Sequence, residues 1–210
     1  NSNEVLIQDS KNILYLINNR GQVEWTREID GKIIKEINQI DSYKNGKLQY
    51  VFTTAKSLNL LDRKGRNVGK FPLKFRDEIT KPVSVFDYDK NKNYRLLITQ
   101  NDELFMFDSR GNRVRGFNYS KKNKIITTPK HFRIGNKDII VFKTTDHLTI
   151  LNRRGAVRIN PKTKHNYSSD EIFQYQNLLV TSTLKNEIVK IDMNGNTKLH
   201  EPMPINSKVK

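Results

Sequence analysis

Five times along the chain an Asn or Asp stands three residues before a glycine: Asn18 and Gly21, Asp62 and Gly65, Asp108 and Gly111, Asn152 and Gly155, Asp192 and Gly195. The glycines are 44, 46, 44 and 40 residues apart. A period this regular confines the chain to architectures that stack one supersecondary unit repeatedly, because a single unit cannot bury its apolar side alone. The chemistry within each copy is that of a turn. An Asx carboxyl or amide at the first position caps the backbone N–H two residues on, and Gly at the fourth supplies the positive φ of a hairpin with a bulge.

The flanking residues say what the turn connects. Before it the copies read LYLIN, LNLLD, LFMFD, LTILN and IVKID, each a short strand. Fifteen residues before each glycine stand Leu6, Tyr50, Leu96, Ile140 and Val180, heading a second apolar strand, and no gap is needed to align the five copies. After the turn come more polar segments, GQVEWTREI, GRNVGKFPLKF, GNRVRGFNYS, GAVRIN and GNTKLH, as suits an outer strand with one side in water. A further strand fits ahead of each pair, in PVSVFDYD at 82–89, KHFRIGN at 130–136 and EIFQYQ at 171–176.

Four strands per 40 to 46 residues is the arithmetic of a β-propeller blade. The expectation is an all-β chain of five four-stranded blades, spanning roughly 1–31, 32–78, 79–122, 123–165 and 166–210, with the first blade lacking its first strand. EIDGKIIKEINQI at 28–40 comes nearest to a helical period, but Gly31 and its β-branched residues argue against one. The tail MPINSKVK either supplies the missing strand and closes a five-bladed ring, or the segment belongs to a larger propeller; the second reading is preferred.

Thirty-eight Lys and Arg against 22 Asp and Glu give a net charge of +16, which biases the protein towards anionic partners. The absence of cysteine removes disulfides and thiolate chemistry. No apolar run reaches the roughly 18 residues that span a bilayer. The chain opens at Asn1 without the basic and apolar regions of a signal peptide; in a clipped chain that is no evidence for the cytoplasm.

Gly21 followed four residues later by Trp25 resembles the repeat of pyrroloquinoline-quinone-type propellers, in which a small turn residue and a Trp dock one blade on the next. Only the first copy has the Trp; the equivalents are Gly69, Arg115, Ile159 and Leu199. The resemblance therefore covers the fold and not the cofactor site of the quinoprotein dehydrogenases, and no cofactor is expected. The runs IDSYKNGKLQYVFTT, LLDRKGRNV, FPLKF, PVSVFDYDKNKNYRLLIT and HFRIGNKDIIVF are also similar to a family of long, uncharacterised bacterial envelope propeller proteins, some labelled ribonuclease HII. That resemblance implies a cell-envelope location, in the periplasm or at the outer membrane. The nuclease label is not supported, because two-metal chemistry needs a cluster of carboxylates on rigid elements, and here the acidic residues sit mostly in turns.

Other constellations are weak. Asp87, Asp89, Asn91 and Asn93 alternate oxygen ligands, but a calcium loop needs Gly where Lys92 stands and a bidentate Glu where Ile98 stands, so a polar turn is expected. Asp41 with Asn45 and Gly46 reads as a hairpin turn. His131, His147, His165 and His200 have no metal-ligand spacing. No nucleophile elbow, phosphate loop or paired acid and base is evident, although a propeller can assemble an enzyme site at its central channel from distant loops.

The basic residues fall in register with the repeat. Arg20, Lys64, Arg110 and Arg154 directly precede four of the five turn glycines, and Arg63 and Arg153 double two of them. Arg66, Lys70, Arg113, Arg115 and Arg158 extend the set along the outer strands. One reading is solvation and protection of strand edges; the other is an arc of cations that docks an acidic protein or anionic lipid headgroups. Nucleic acid is disfavoured, since no recognition motif or regular interleaving of aromatic and basic residues is present. The expected function is non-catalytic, a rigid scaffold mediating protein–protein interaction, by fold-level analogy to propeller lipoproteins that scaffold outer-membrane assembly.

Overall fold

The computed structural model describes residues 4–120 and 123–200. It divides into two compact units, Asn1–Ser120 and Lys121–Lys210. The first holds three antiparallel sheets: β1 (Val5–Gln8), β2 (Ile13–Ile17) and β3 (Val23–Glu28); β4 (Asn38–Ile40), β5 (Gln49–Thr53), β6 (Ser57–Leu61) and β7 (Leu73–Lys74); β8 (Ser84–Phe86), β9 (Arg95–Gln100), β10 (Glu103–Asp108) and β11 (Tyr119–Ser120). The second holds two: β12 (Lys130–Ile134), β13 (Lys137–Lys143), β14 (Leu148–Leu151) and β15 (Val157–Ile159); β16 (Phe173–Tyr175), β17 (Leu178–Ser182), β18 (Ile188–Ile191) and β19 (Thr197–His200). Each sheet is a meander in which sequence neighbours pair. Among the described residues the first sheet has three strands and β1 has no partner on its other side. The tail MPINSKVK lies outside the described residues. No helix forms between 28 and 40; after β3 ends at Glu28 the one strand there is β4.

All five Asx–Gly turns have the same hydrogen bonding. The side-chain oxygen of Asn18, Asp62, Asp108, Asn152 or Asp192 accepts two backbone N–H groups, two and four residues on, at 2.8–3.2 Å. The glycine N–H returns to the carbonyl of that same Asx residue at 3.0–3.1 Å, and every glycine has φ between +74° and +82°. Backbone shifts at Leu16/Ile17 and Ile150/Leu151 mark the bulges that accompany two of the turns.

The cores lie between sheets. In the first unit, Leu14, Leu16 and Ile29 meet Tyr50, Phe52 and Leu61 between the first and second sheets. Val51, Leu58, Leu60, Val68 and Phe71 meet Leu96 and Ile98 between the second and third. In the second unit, Ile139, Val141 and Ile150 meet Leu179, Val189 and Ile191. All of these residues are buried, and at 25 cal/mol per Å² such layers supply the main stabilisation of a repeat array. The opposite face of the first sheet, with Val5, Ile7 and Val23, is about half exposed, as are Phe173 and Tyr175 on β16.

Three of the turns, at Gly65, Gly111 and Gly195, are also the seat of the preceding sheet's outer segment. The Trp25 ring lies over Gly65, so close that a Cβ there would come within 2.8 Å of Trp25 Cδ2, and Trp25 Nε1 donates to Arg63 O at 2.8 Å. Leu73 and Lys70 lie against Gly111, each 3.3 Å from where a Cβ would be, and Asn160 and Ile159 lie against Gly195. Trp25 is thus a blade-docking residue, as the resemblance implies, and Ile159 takes the same role in its own copy. In the second blade Gly69 does not. Val68 N–H returns to Leu60 O and Phe71 N–H to Val68 O, so the chain turns tightly before β7 and docks through Leu73 instead.

The two kinds of constraint separate experimentally. Gly21 has the same positive φ as Gly65, but its Cβ position faces open space. Gly21→Ala is expected to destabilise the protein by about 1–2 kcal/mol, the price of a left-handed L-residue, and Gly65→Ala by more than about 3 kcal/mol because Trp25 must also be displaced. Urea unfolding of the two variants measures the difference.

Candidate functional site

Within every four-stranded sheet, the loop joining the first two strands and the Asx–Gly turn joining the last two lie at the same end, because the strands alternate direction. At that end, in the first unit, stand Arg20 on the first sheet, Lys44, Lys47, Arg63, Lys64 and Arg66 on the second, and Lys90, Lys92 and Arg110 on the third; in the second unit stand Arg153 and Arg154 on the fourth. Of the acids in these loops, Asp41, Asp62, Asp87 and Asp108 are engaged by the caps of their own turns. The fifth has none in its turn, where Asn194 stands in place of the cation. The loops at the other end carry fewer cations, with Asp9, Lys11, Lys56, Asp102, Asp146, Lys185 and Glu187.

The six cations of the expected arc divide into two groups. Arg20, Lys64, Arg110 and Arg154 are exposed, their backbone N–H groups are taken by the Asx cap, and among the described residues no carboxylate pairs with their side chains. Arg63 and Arg153 are already paired. Arg63 bonds to Glu4, beside a groove of about 930 Å³ lined by Leu6, Leu16, Ile37, Leu48 and Tyr50, and Tyr50 Oη donates to the same carboxylate at 3.3 Å. Arg153 reaches Asp138 at 2.6 Å, together with Arg133 at 2.9 Å and His131 at 2.8 Å. Burial pushes Asp138 up, but the three hydrogen bonds outweigh it and hold its carboxyl well below the usual range.

The extended set divides in the same way. Arg66 pairs with Asp62, Arg113 lies 4.9 Å over the Phe105 ring, and Lys70 Nζ donates to Asn112 Oδ1 of the next turn at 2.6 Å. Lys162 repeats this tie to Asn196 at 2.6 Å, and Arg27 to Gly65 O and Asn67 at 2.6 Å. These three cations clamp one sheet to the next, a role that only the spatial adjacency of turn and outer strand reveals.

The Asp41 and Asp87 loops are the same structure in successive sheets. Asp41 accepts Asn45 and Gly46 N–H, and Asp87 accepts Asn91 and Lys92 N–H. Asp41 is buried and takes Lys92 Nζ at 2.6 Å. The carboxylate oxygens that a cation would use are thus committed to backbone, and no group of three metal-ligating side chains occurs among the described residues.

One buried charge went unnoticed in the sequence reading. Lys143, at the end of β13, is fully buried; its Nζ donates to Thr181 Oγ1 at 2.7 Å, and burial pulls its pKa down to about 8, with the Asp170 charge acting in the other direction. The signal was a column of polar residues three positions after the aligned apolar heads, namely Asp9, Thr53, Thr99, Lys143 and Thr183, of which Lys143 is the one cation. The unfolded chain binds this proton more tightly than the folded one, so stability rises as pH passes from about 8 to the ordinary value of 10.5. Lys143→Met is expected to stabilise the protein by about 1–3 kcal/mol at pH 7, with the advantage shrinking across that window. Urea unfolding of both proteins between pH 7 and 10 tests this, and parallel curves would mean that the amine is solvated.

No protein family and no curated protein matches the chain. Solved structures do. BamB from Moraxella catarrhalis superposes with a TM-score of 0.63 at 13% identity over 92% of this chain and 56% of that one. BBS1N, in a complex with ARL6DN, gives 0.64 at 12% over 97% and 63%. The C-terminal WD40 domain of Sif2 gives 0.58 at 14% over 94% and 56%. The chain spans little more than half the length of these structures, and at such identities the likeness is one of fold: this is an all-β protein of β-propeller blades.

Proposed function

We propose that the chain is a non-catalytic scaffold of the bacterial cell envelope that holds a protein partner through the basic turn end of its blades. The observation that carries this reading is the repetition of one rigid turn that presents a solvent-facing cation, Arg20, Lys64, Arg110 or Arg154, in four successive copies. A rigid, doubly capped turn holds its charge at little entropic cost on binding, and clustered like charge steers an oppositely charged surface into contact. One solved neighbour fits a binding role: BBS1N was crystallised in a complex with ARL6DN. The envelope location rests on the resemblance of the sequence to envelope propeller proteins. Anionic lipid headgroups are the competing ligand for the same cations.

The test is a pull-down from envelope extract, at low and high salt, beside a variant with Arg20, Lys64, Arg110 and Arg154 changed to Ser. A defined acidic protein retained by the wild type at low salt, and lost both in high salt and by the variant, is the expected result. Equal capture by both proteins sinks the reading; retention on phosphatidylglycerol vesicles alone reassigns the cations to a membrane surface.

A further inference from the structure

Where the second and third sheets of the first unit adjoin, a cleft of about 510 Å³ opens at the turn end. Its walls come from three places far apart in sequence: the Asp41–Gly46 loop contributes Ser42, Tyr43 and Lys44, the tight turn before β7 contributes Lys70, and the third sheet's Asx–Gly turn contributes Ser109 and Arg110. We infer that this cleft is a docking site for an acidic peptide segment carrying an aromatic or aliphatic residue, an inference that rests on the scaffold reading above and locates its principal contact.

Three observations support it. First, the cleft has three cations and no carboxylate in its lining. The acids that directly precede its lining residues Ser42 and Ser109 are occupied: Asp41 by Lys92 and two backbone N–H groups, and Asp108 by the cap of its own turn. Second, the amines are aimed without being neutralised. Lys44 Nζ donates to Asn93 Oδ1 at 2.7 Å and Lys70 Nζ to Asn112 Oδ1 at 2.6 Å, each a neutral amide. An ammonium has three donors, so each keeps two for a ligand while its long side chain is already ordered. Among the described residues the Arg110 guanidinium has no acceptor at all, which leaves its planar fork free for bidentate binding of a carboxylate.

Third, the cleft is not purely polar. Tyr43 stands 57% exposed at its edge, and an unburied ring beside fixed cations is what an interface anchor needs. A free phosphate or a lipid headgroup would use the cations and leave the ring idle. An acidic segment with an apolar residue engages both.

Fluorescence anisotropy with a short fluorescein-labelled peptide of alternating Glu and Phe tests the site, using the whole chain at low ionic strength. The comparison peptide alternates Lys and Phe. The variant Lys44→Asn with Arg110→Ser removes two of the cations; Asn suits the positive φ of 56° at position 44. It is expected to weaken the Glu–Phe peptide by at least about tenfold, while Arg20→Ser with Arg154→Ser changes it less than about threefold. Equal losses in the two variants would overturn the cleft yet keep the rim as a diffuse attractor. No binding by the wild type, or displacement by inorganic phosphate or phosphatidylglycerol vesicles with no dependence on Tyr43→Ala, would also overturn it. The scaffold reading itself then stands or falls on the envelope pull-down.

Discussion

Within each unit, adjoining sheets depend on a contact between a side chain that is present and one that is missing. A turn glycine, held at positive φ by an Asx cap, leaves a flat patch of backbone on which the outer segment of the preceding sheet comes to rest. The capped turn supplies a rigid seat, the absent Cβ supplies the space, and the ring of Trp25 or the side chain of Leu73 or Ile159 fills it. The apolar layers on either side contribute most of the free energy, but hydrophobic burial has no direction. It is the seated turn, reinforced by Arg27, Lys70 and Lys162 reaching to Asn67, Asn112 and Asn196, that sets which part of one sheet meets which part of the next.

The same contact explains where the charges go. A turn pinned through its backbone has no structural use for the side chain just before the glycine, so that position is free to face water, and in four of five copies it is basic. Arg27, Lys70 and Lys162 are drawn into joints, and Arg66 into an ion pair, because their neighbours offer amides and a carboxylate. Surface charge on this fold therefore divides by position within the repeat, with a layer that fastens sheets together and a layer that is left for partners.

Much of this was legible in the chain. The Asx–Gly spacing and the apolar strands ahead of it are local patterns of period two and fixed turn chemistry, and local patterns survive without knowledge of the tertiary fold. The equivalence of Gly69 to Trp25 failed because a tight turn at Val68–Phe71 postpones the docking residue to Leu73, and an ungapped column cannot register such a delay. The pairing of Arg63 with Glu4 and of Arg153 with Asp138 joins residues 59 and 15 positions apart; a repeat alignment places like residues in register but says nothing about which unlike residues meet. Lys143 was hidden for a related reason: a lysine ending an apolar strand reads as an edge residue until the neighbouring sheet is laid over it.

The joint between sheets also bears on how arrays of this kind change length. The second sheet carries both halves of the connector, a seat at Gly65 and a filler at Leu73, while the first and fourth sheets supply fillers and the third and fifth supply seats. Duplicating or deleting the whole of that second period therefore leaves a seat facing a filler on either side, whereas a deletion of a few residues inside it breaks a joint. Such a chain can gain or lose blades as units under selection, while insertions within a blade are confined to the loops that take no part in the connector.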